Sequence, residues 1–416
     1  MNRIVLIGNG FDLANNYKTS YKDFIVWYFK EKLYDMFCNN KINASDALCT
    51  AKILSSTHDA LTKEEIDDFS LQDLFEYFGS LNKKTGYEIN YSRLLAKIKE
   101  SVNIKGWVDI ENDYYELLRF KVQNPNAYLF YDISDLNTEL DTLGKKLIEY
   151  LKEVIKESRD ICAEIQTKIF EPFKENDIAV EAKDVWMNFL RKRIDLSDYD
   201  LMRICACYNM KHTFLKEIFI NDYLDMVNDY LNGKCSYNND YKNFSFPDNI
   251  MLLNFNYTDI ADRYLLNDSD IFSVVHIHGK LDDPESVIFG YGDELDDKYK
   301  FIQETNINEY LKNIKSIKYL ESDNYRRVLS FVESDYYQVY VMGHSCGKSD
   351  RTLLNTLFEH KNCVSIKPFY YVDKDTGKDN YLDIVQNISR NFTDMKLMRD
   401  RVVNKQFCEQ LRKNDF

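Results

Sequence analysis

The sequence predicts an α/β protein: a Rossmann-like parallel sheet whose first strand is separated from the rest by a large α-helical insertion. Three observations predict it. The chain opens on a short apolar, β-branched run, Ile4 to Ile7, that leads directly into Gly8-Asn9-Gly10. Further strand-like runs appear only after residue 247, several followed by Gly or a polar turn. The long stretch between carries apolar residues at helical spacing, as at Leu140, Leu143, Leu147, Leu151, Val154 and Ile155.

Each element follows in order. A strand running into a Gly-x-Gly turn and a helix is how doubly wound domains open a phosphate site, because the helix start offers free N–H groups and a positive dipole end. Leu13 stands where the third glycine of the dinucleotide fingerprint would fall, and a plain strand-to-helix connection is spelled the same way. After Arg3–Ile7 the expected strands are Ile250–Phe255, Phe272–Ile277, Val287–Phe289, Val339–Met342 and Val364–Val372. Helices are expected over Glu139–Arg159, Lys183–Leu201 and Met210–Leu231, with Pro172 at a helix boundary and Asn232 to Asn243 as a polar loop. The predicted organisation is therefore a discontinuous domain of residues 1–24 and 247–375, a helical insert of residues 25–246, and a C-terminal helical segment of residues 376–416.

Composition narrows the function. The 416 residues suit two or three domains, and an apolar share of 44% with 14% aromatics is that of a globular chain. Acids outnumber Lys and Arg 68 to 54, giving a net charge of −14, so nucleic acid is not an expected partner. The 9 cysteines are scattered without a C-x-x-C pair, and no signal peptide or membrane-length apolar run is visible, which predicts reduced thiols and a cytoplasmic location.

Three polar motifs sit at predicted strand ends, where ligands bind in open α/β sheets. The first is Asn254-Phe255-Asn256-Tyr257-Thr258-Asp259, in which the Asn256 amide could hold a ribose hydroxyl and a water; an Asx turn ending the strand is the alternative. The second is His276-Ile277-His278-Gly279-Lys280. Alternation places both histidines on one face, and His278 beside Gly279 fits a general base; a structural pair or a metal pair are the alternatives. The third is Gly343-His344-Ser345-Cys346-Gly347-Lys348-Ser349-Asp350, with Asp350 a natural N-cap for the next helix. It also spells G-x-S-x-G, although an α/β-hydrolase needs its acid and His after the Ser, and only His360 follows. Two lesser features are Trp107 to Tyr114, read as a packed Trp with a solvated acidic face, and the acidic loop Gly292 to Asp297, read as solvated rather than as a Mg²⁺ site.

Together, GNGFDLA…TSYKDF, NFNYTD, HIHGK, IFGYGDE and GHSCGKSDRTLL resemble the bacteriophage abortive-infection AbiH family over nearly the full chain. That family in turn resembles a distant branch of the sirtuin-like fold, which implies a sirtuin-type parallel sheet around NAD. On that resemblance Gly8, Asn9, Gly10 and Asp12 match the first cofactor loop, and Thr19 to Phe24, with Tyr21 and Asp23, match a loop that covers the cofactor. Asn256 and His278 match the catalytic pair, while Asp259, Gly343, Ser345 and Asp350 join the cofactor set. Position 258 is Thr where the sirtuin pattern has Asp, Asn15 replaces a customary His, and the absence of zinc-ribbon cysteines argues against a deacylase. The implied function is anti-phage hydrolysis of NAD, a substrate rather than a resident cofactor, to nicotinamide and ADP-ribose with no metal. A nucleotide-sensing or partner-binding defence module, or a metal-dependent nuclease or hydrolase, are the alternatives. A phage-derived trigger and a homo-oligomer stay open as partners.

Overall fold

A computed structural model describes residues 1–55, 61–105, 108–124, 132–194, 229, 232, 245–265, 271–296 and 298–413. Its centre is a five-stranded, all-parallel sheet made of β1 (Asn2–Ile7), β4 (Ile250–Asn254), β5 (Phe272–His276), β6 (Tyr337–Met342) and β7 (Cys363–Phe369), in the order β5-β4-β1-β6-β7. Taking only these strands in chain order, that is 3-2-1-4-5, the Rossmann arrangement, with its switch point between β1 and β6. All residues of β1, β4, β6 and β7 are buried, as expected for parallel strands covered on both faces.

Strand alternation sorts the two faces. Ile4 and Leu6 join Met251, Leu253, Val339 and Val341 under the helices Asn324–Ser334, Arg351–Glu359 and Tyr381–Arg390. Val5 and Ile7 join Ile250, Leu252, Tyr340 and Met342 against Phe11, Tyr264 and the helix Ala163–Ile169. The helix Ala163–Ile169 of the insert therefore covers one face of the sheet. Arg3 is fully buried there, donating to the carbonyls of Ile169 and Glu171 and to Gln338, with Tyr340 beneath its guanidinium.

The residues between β1 and β4 supply most of a second core, in which Phe24, Phe29, Phe75, Phe78, Tyr114 and Leu143 pack together and which Tyr257, Leu281, Phe289 and Tyr291 join. The insert is not purely helical. Cys49–Ile53 (β2) and Tyr87–Tyr91 (β3) pair as an antiparallel ribbon, too short for its alternation to stand out in the sequence. The helix expected over Glu139–Arg159 runs Ile133–Val154, starting six residues earlier behind a capping box of Asp132 and Asp135. The helix expected over Lys183–Leu201 is described as Lys183–Ile194; its remainder, the expected helix Met210–Leu231 and the loop Asn232–Asn243 lie outside the described residues apart from isolated positions. The helix before Pro172 ends at Ile169, as the proline requires.

Two strand readings differ. Val287–Phe289 forms no ladder: Ile288 N–H bonds the His278 carbonyl, and Phe289 packs on Gly144 of the insert. β7 stops at Phe369, and the described part of the C-terminal segment, residues 376–413, returns beside it through bridges from Val402 to Ile366 and Gln410 to Tyr370. Among the described residues no helix is long and apolar enough to cross a membrane.

Candidate functional site

A cavity of about 930 Å³ opens at the carboxyl ends of β1, β4 and β6, at the switch point of the sheet. Most of its lining comes from the predicted motifs. Gly8, Asn9, Gly10 and Asp12 come from the first turn, Asn256 from the end of β4, and His278 from just beyond β5. Gly343, Ser345 and Asp350 come from the turn after β6, and Thr19 and Tyr21 from the segment that follows the first helix. The insert closes the remaining side, through Val108, Asp109, Glu111, Leu147 and Leu151.

Three of the expected residues do not join the lining. Asp23 is engaged at the start of the helix Tyr21–Leu33, where Ser20 accepts from its N–H and donates to its carboxylate. Phe24 is fully buried in the insert core against Trp27 and Tyr150. Asp259 points away and pairs with Arg263, whereas Thr258, one residue earlier, faces inward.

The glycines act differently from the expectation. A Cβ on Gly10 would lie 2.8 Å from Gly343 Cα, and Gly343, at φ +75, would place one 2.0 Å from Phe11 N. They let the two turns approach each other closely. The N–H groups of Gly8 and Gly10 are given to the carbonyls of Met342 and Gly343, so they are not a free phosphate cradle. Positive charge comes instead from the exposed side chains of Lys22, Lys348 and Arg390 around the cavity. Thr19 donates to Asn9 (2.6 Å), tying the covering segment to the first turn.

At the end of β4 the Asx turn is made by Asn254, whose Oδ1 accepts from the N–H of Asn256. This leaves Asn256 to face the cavity. Its amide nitrogen donates to the Gly8 carbonyl (3.0 Å) and to Asp12 Oδ1 (2.9 Å). Both donors are thereby taken, and toward a ligand Asn256 offers its carbonyl oxygen alone. Asp12 is 1% exposed, and its second oxygen accepts from Thr258 Oγ1 (2.7 Å). Burial outweighs these donors and pushes the Asp12 carboxyl up to about 7.

His278 is buried on the opposite side. Its Nδ1 lies 3.2 Å from the Phe255 carbonyl, which only accepts, so that nitrogen bears the proton. Its Nε2 meets the Tyr319 hydroxyl (3.2 Å) and Asp350 Oδ1 (3.3 Å). Burial, helped by the Lys315 charge, lowers its pKa and keeps the ring neutral. His276 takes other partners, Asp262 and Asn254, so the two histidines do not act as a pair.

Asp350 stands at the N-cap position of the helix Arg351–Glu359, but its side chain makes no cap. It enters a buried charge cluster instead. Lys315 Nζ, 1% exposed, lies 2.9 Å from Asp350 Oδ1 and 2.9 Å from Glu111 Oε2. Against the cost of burial, the Lys315 charge holds Asp350 well below the usual carboxylate range. Burial raises Glu111, with Lys315 opposing it and Asp350 reinforcing it. His344 Nδ1 accepts from the Cys346 N–H, which leaves the Nε2 proton facing Asp350 at 3.5 Å. Neither His344 nor His278 reaches Ser345, so the G-x-S-x-G spelling carries no Ser–His pair.

Sequence reasoning missed Lys315 and read Glu111 as part of a solvated face. Asp293, read as solvated, is buried beside Arg351, while Asp297 and Trp107 lie outside the described residues. Among the described residues no group of three or more His, Cys, Asp and Glu is arranged to hold a metal ion.

A family model described as bacteriophage abortive infection AbiH matches residues 4–372. Comparisons with curated proteins and with solved structures returned no match.

Proposed function

Because that family model spans most of the chain, this protein belongs to the bacteriophage abortive-infection AbiH family, and we propose that it exerts its anti-phage role by hydrolysing NAD to nicotinamide and ADP-ribose. The observation that carries the proposal is the switch-point cavity itself. It joins a cationic rim of Lys22, Lys348 and Arg390, suited to a pyrophosphate, to the half-buried Asn256 amide bonded to the buried Asp12 carboxyl. Its volume lies within the usual range of ligand sites and can seat a dinucleotide.

The chemistry asks little of a general acid. Nicotinamide leaves with the electron pair of the glycosidic bond as a neutral molecule, and positive charge develops on the ribose, as in glycoside cleavage. The protein has to orient the ribose and admit one water. The Asn256 carbonyl oxygen is placed to accept from that water or from a ribose hydroxyl. His278, neutral and fixed by Phe255 and Tyr319, lines the site beside Asp350, whose negative charge is set by Lys315.

Incubation of the purified protein with NAD, following nicotinamide and ADP-ribose by chromatography, tests the proposal. Wild type should release nicotinamide, and Asn256→Ala and His278→Ala should each lose that release while keeping the wild-type circular dichroism. Wild-type rates in both variants refute the site. A thermal shift on NAD without turnover favours a sensing module over an enzyme.

A further inference from the structure

We infer that Asp12 is the general base of this reaction, taking the proton of the water held by Asn256 as that water attacks the anomeric carbon. The inference rests on the NAD reading and identifies the group that performs its proton transfer.

The geometry separates two candidates by their lone pairs. Neutral His278 has one, on Nε2, and the Tyr319 hydroxyl meets it. Tyr319 is not among the residues lining the cavity, so that lone pair is directed into the protein. A carboxylate has about four acceptor positions. Asp12 uses one on Asn256 and one on Thr258, which leaves a position on each oxygen. Among the described residues no Lys or Arg forms an ion pair with Asp12; Arg263, nearby, is taken by Asp259 and the Tyr17 hydroxyl. Asp12 is thus a buried carboxyl at the cavity wall, bonded to the amide proposed to hold the water, and not locked as an anion by a cation. A carboxyl with a midpoint near 7 is also matched to proton transfer at neutral pH.

The step balances as follows. The bond between C1′ and the nicotinamide nitrogen breaks, and its electron pair leaves with nicotinamide. The water oxygen bonds to C1′, its proton passes to Asp12, and Asp12 later releases that proton to solvent. NAD and water give nicotinamide, ADP-ribose and one proton.

The test is the pH profile of kcat/KM for NAD in wild type, Asp12→Asn and Thr258→Val, with an NAD thermal shift on each. Wild type should lose activity below a midpoint near 7. Asp12→Asn should keep the thermal shift and lose at least about a hundredfold in turnover. Thr258→Val removes a donor that lowers the Asp12 pKa, so its midpoint should move to higher pH. Wild-type turnover in Asp12→Asn, or an unmoved midpoint in Thr258→Val, overturns the base assignment and leaves the NAD reading standing. A role as a pin between the first turn and β4 would not move the midpoint, and Thr258→Val keeps the test decisive where Asp12→Asn fails to fold. Absence of nicotinamide release from wild type overturns the NAD reading and the base with it.

Discussion

Replacing Lys315 by Met should destabilise the protein strongly at neutral pH and much less in acid. Lys315 is 1% exposed and lies 2.9 Å from a carboxylate oxygen of Glu111 and of Asp350. At an effective dielectric of 20, each attraction at 2.9 Å is worth about 6 kcal/mol before desolvation. Most of that is offset by the cost of burying three charges, so the net loss expected on removing one partner is about 3–5 kcal/mol. The loss depends on pH. Without Lys315, burial and mutual repulsion raise both carboxyls above their unfolded values. Raised carboxyls contribute stability that is present below the unfolded pKa, roughly 4, and lost as pH rises through the folded one. The deficit of Lys315→Met should therefore grow from pH 4.5 to 7.5. Urea titrations of wild type and variant at both pH values, read by circular dichroism, measure it. A variant within about 1 kcal/mol of wild type at pH 7.5, below the cost expected of a broken buried pair, or a gap independent of pH, refutes the reasoning.

The Asp12 carboxyl, raised to about 7 by burial, makes wild-type stability fall as pH climbs from about 4 toward 7. Asp12→Asn should flatten that slope in urea titrations, and an equal slope in both proteins counts against a raised Asp12. Gly343→Ala should cost several kcal/mol or prevent folding, because φ is +75 and the new Cβ would meet Phe11 N at 2.0 Å; a wild-type melting temperature would contradict it. On the proposed NAD reading, Lys22→Ala and Lys348→Ala should each weaken NAD binding roughly three- to tenfold and lessen its salt dependence, as exposed charges do; calorimetry at two salt concentrations decides.

The sheet was legible because parallel strands are buried on both faces and read as short apolar runs. β1, β4 and β6 stand in the sequence within a residue or two of their observed bounds. The rule that ligands lie beyond strand ends then brought Gly8, Asn256, His278 and Gly343 together across more than 300 positions. What escaped has physical reasons. Lys315 sits in Asn313-Ile314-Lys315-Ser316-Ile317-Lys318, where nothing separates a buried lysine from its solvated neighbours until Glu111 arrives from another layer. Glu111 was hidden for the same reason. The choice of Thr258 over Asp259 depends on the Asx turn at Asn254, which sets how the chain leaves β4. Asp23 carries the charge of a site residue, but its position three after Ser20 commits it to a helix cap.

The two sides of the cavity hold carboxylates whose environments drive them apart, and this is the pattern by which acid–base roles are divided in a site. Asp12 has two hydrogen-bond donors and no ion-pair partner among the described residues, so burial raises it to about 7. Asp350 has Lys315, with the Nε2 proton of His344 turned toward it, and against the cost of burial is held well below the usual range. On the proposed reaction the first can exchange a proton at neutral pH. The second stays an anion throughout, facing a ribose that becomes cationic. On that proposal the division also gives the insert a part in the chemistry. Glu111 comes from the helix Ile110–Gln123 and meets Lys315, which fixes the charge of Asp350. Glu111→Gln should keep the Lys315–Asp350 contact and fold, yet alter turnover, since it changes the charge surrounding Asp350 without touching the sheet. A wild-type rate and pH profile in Glu111→Gln would reduce the insert to a wall of the cavity.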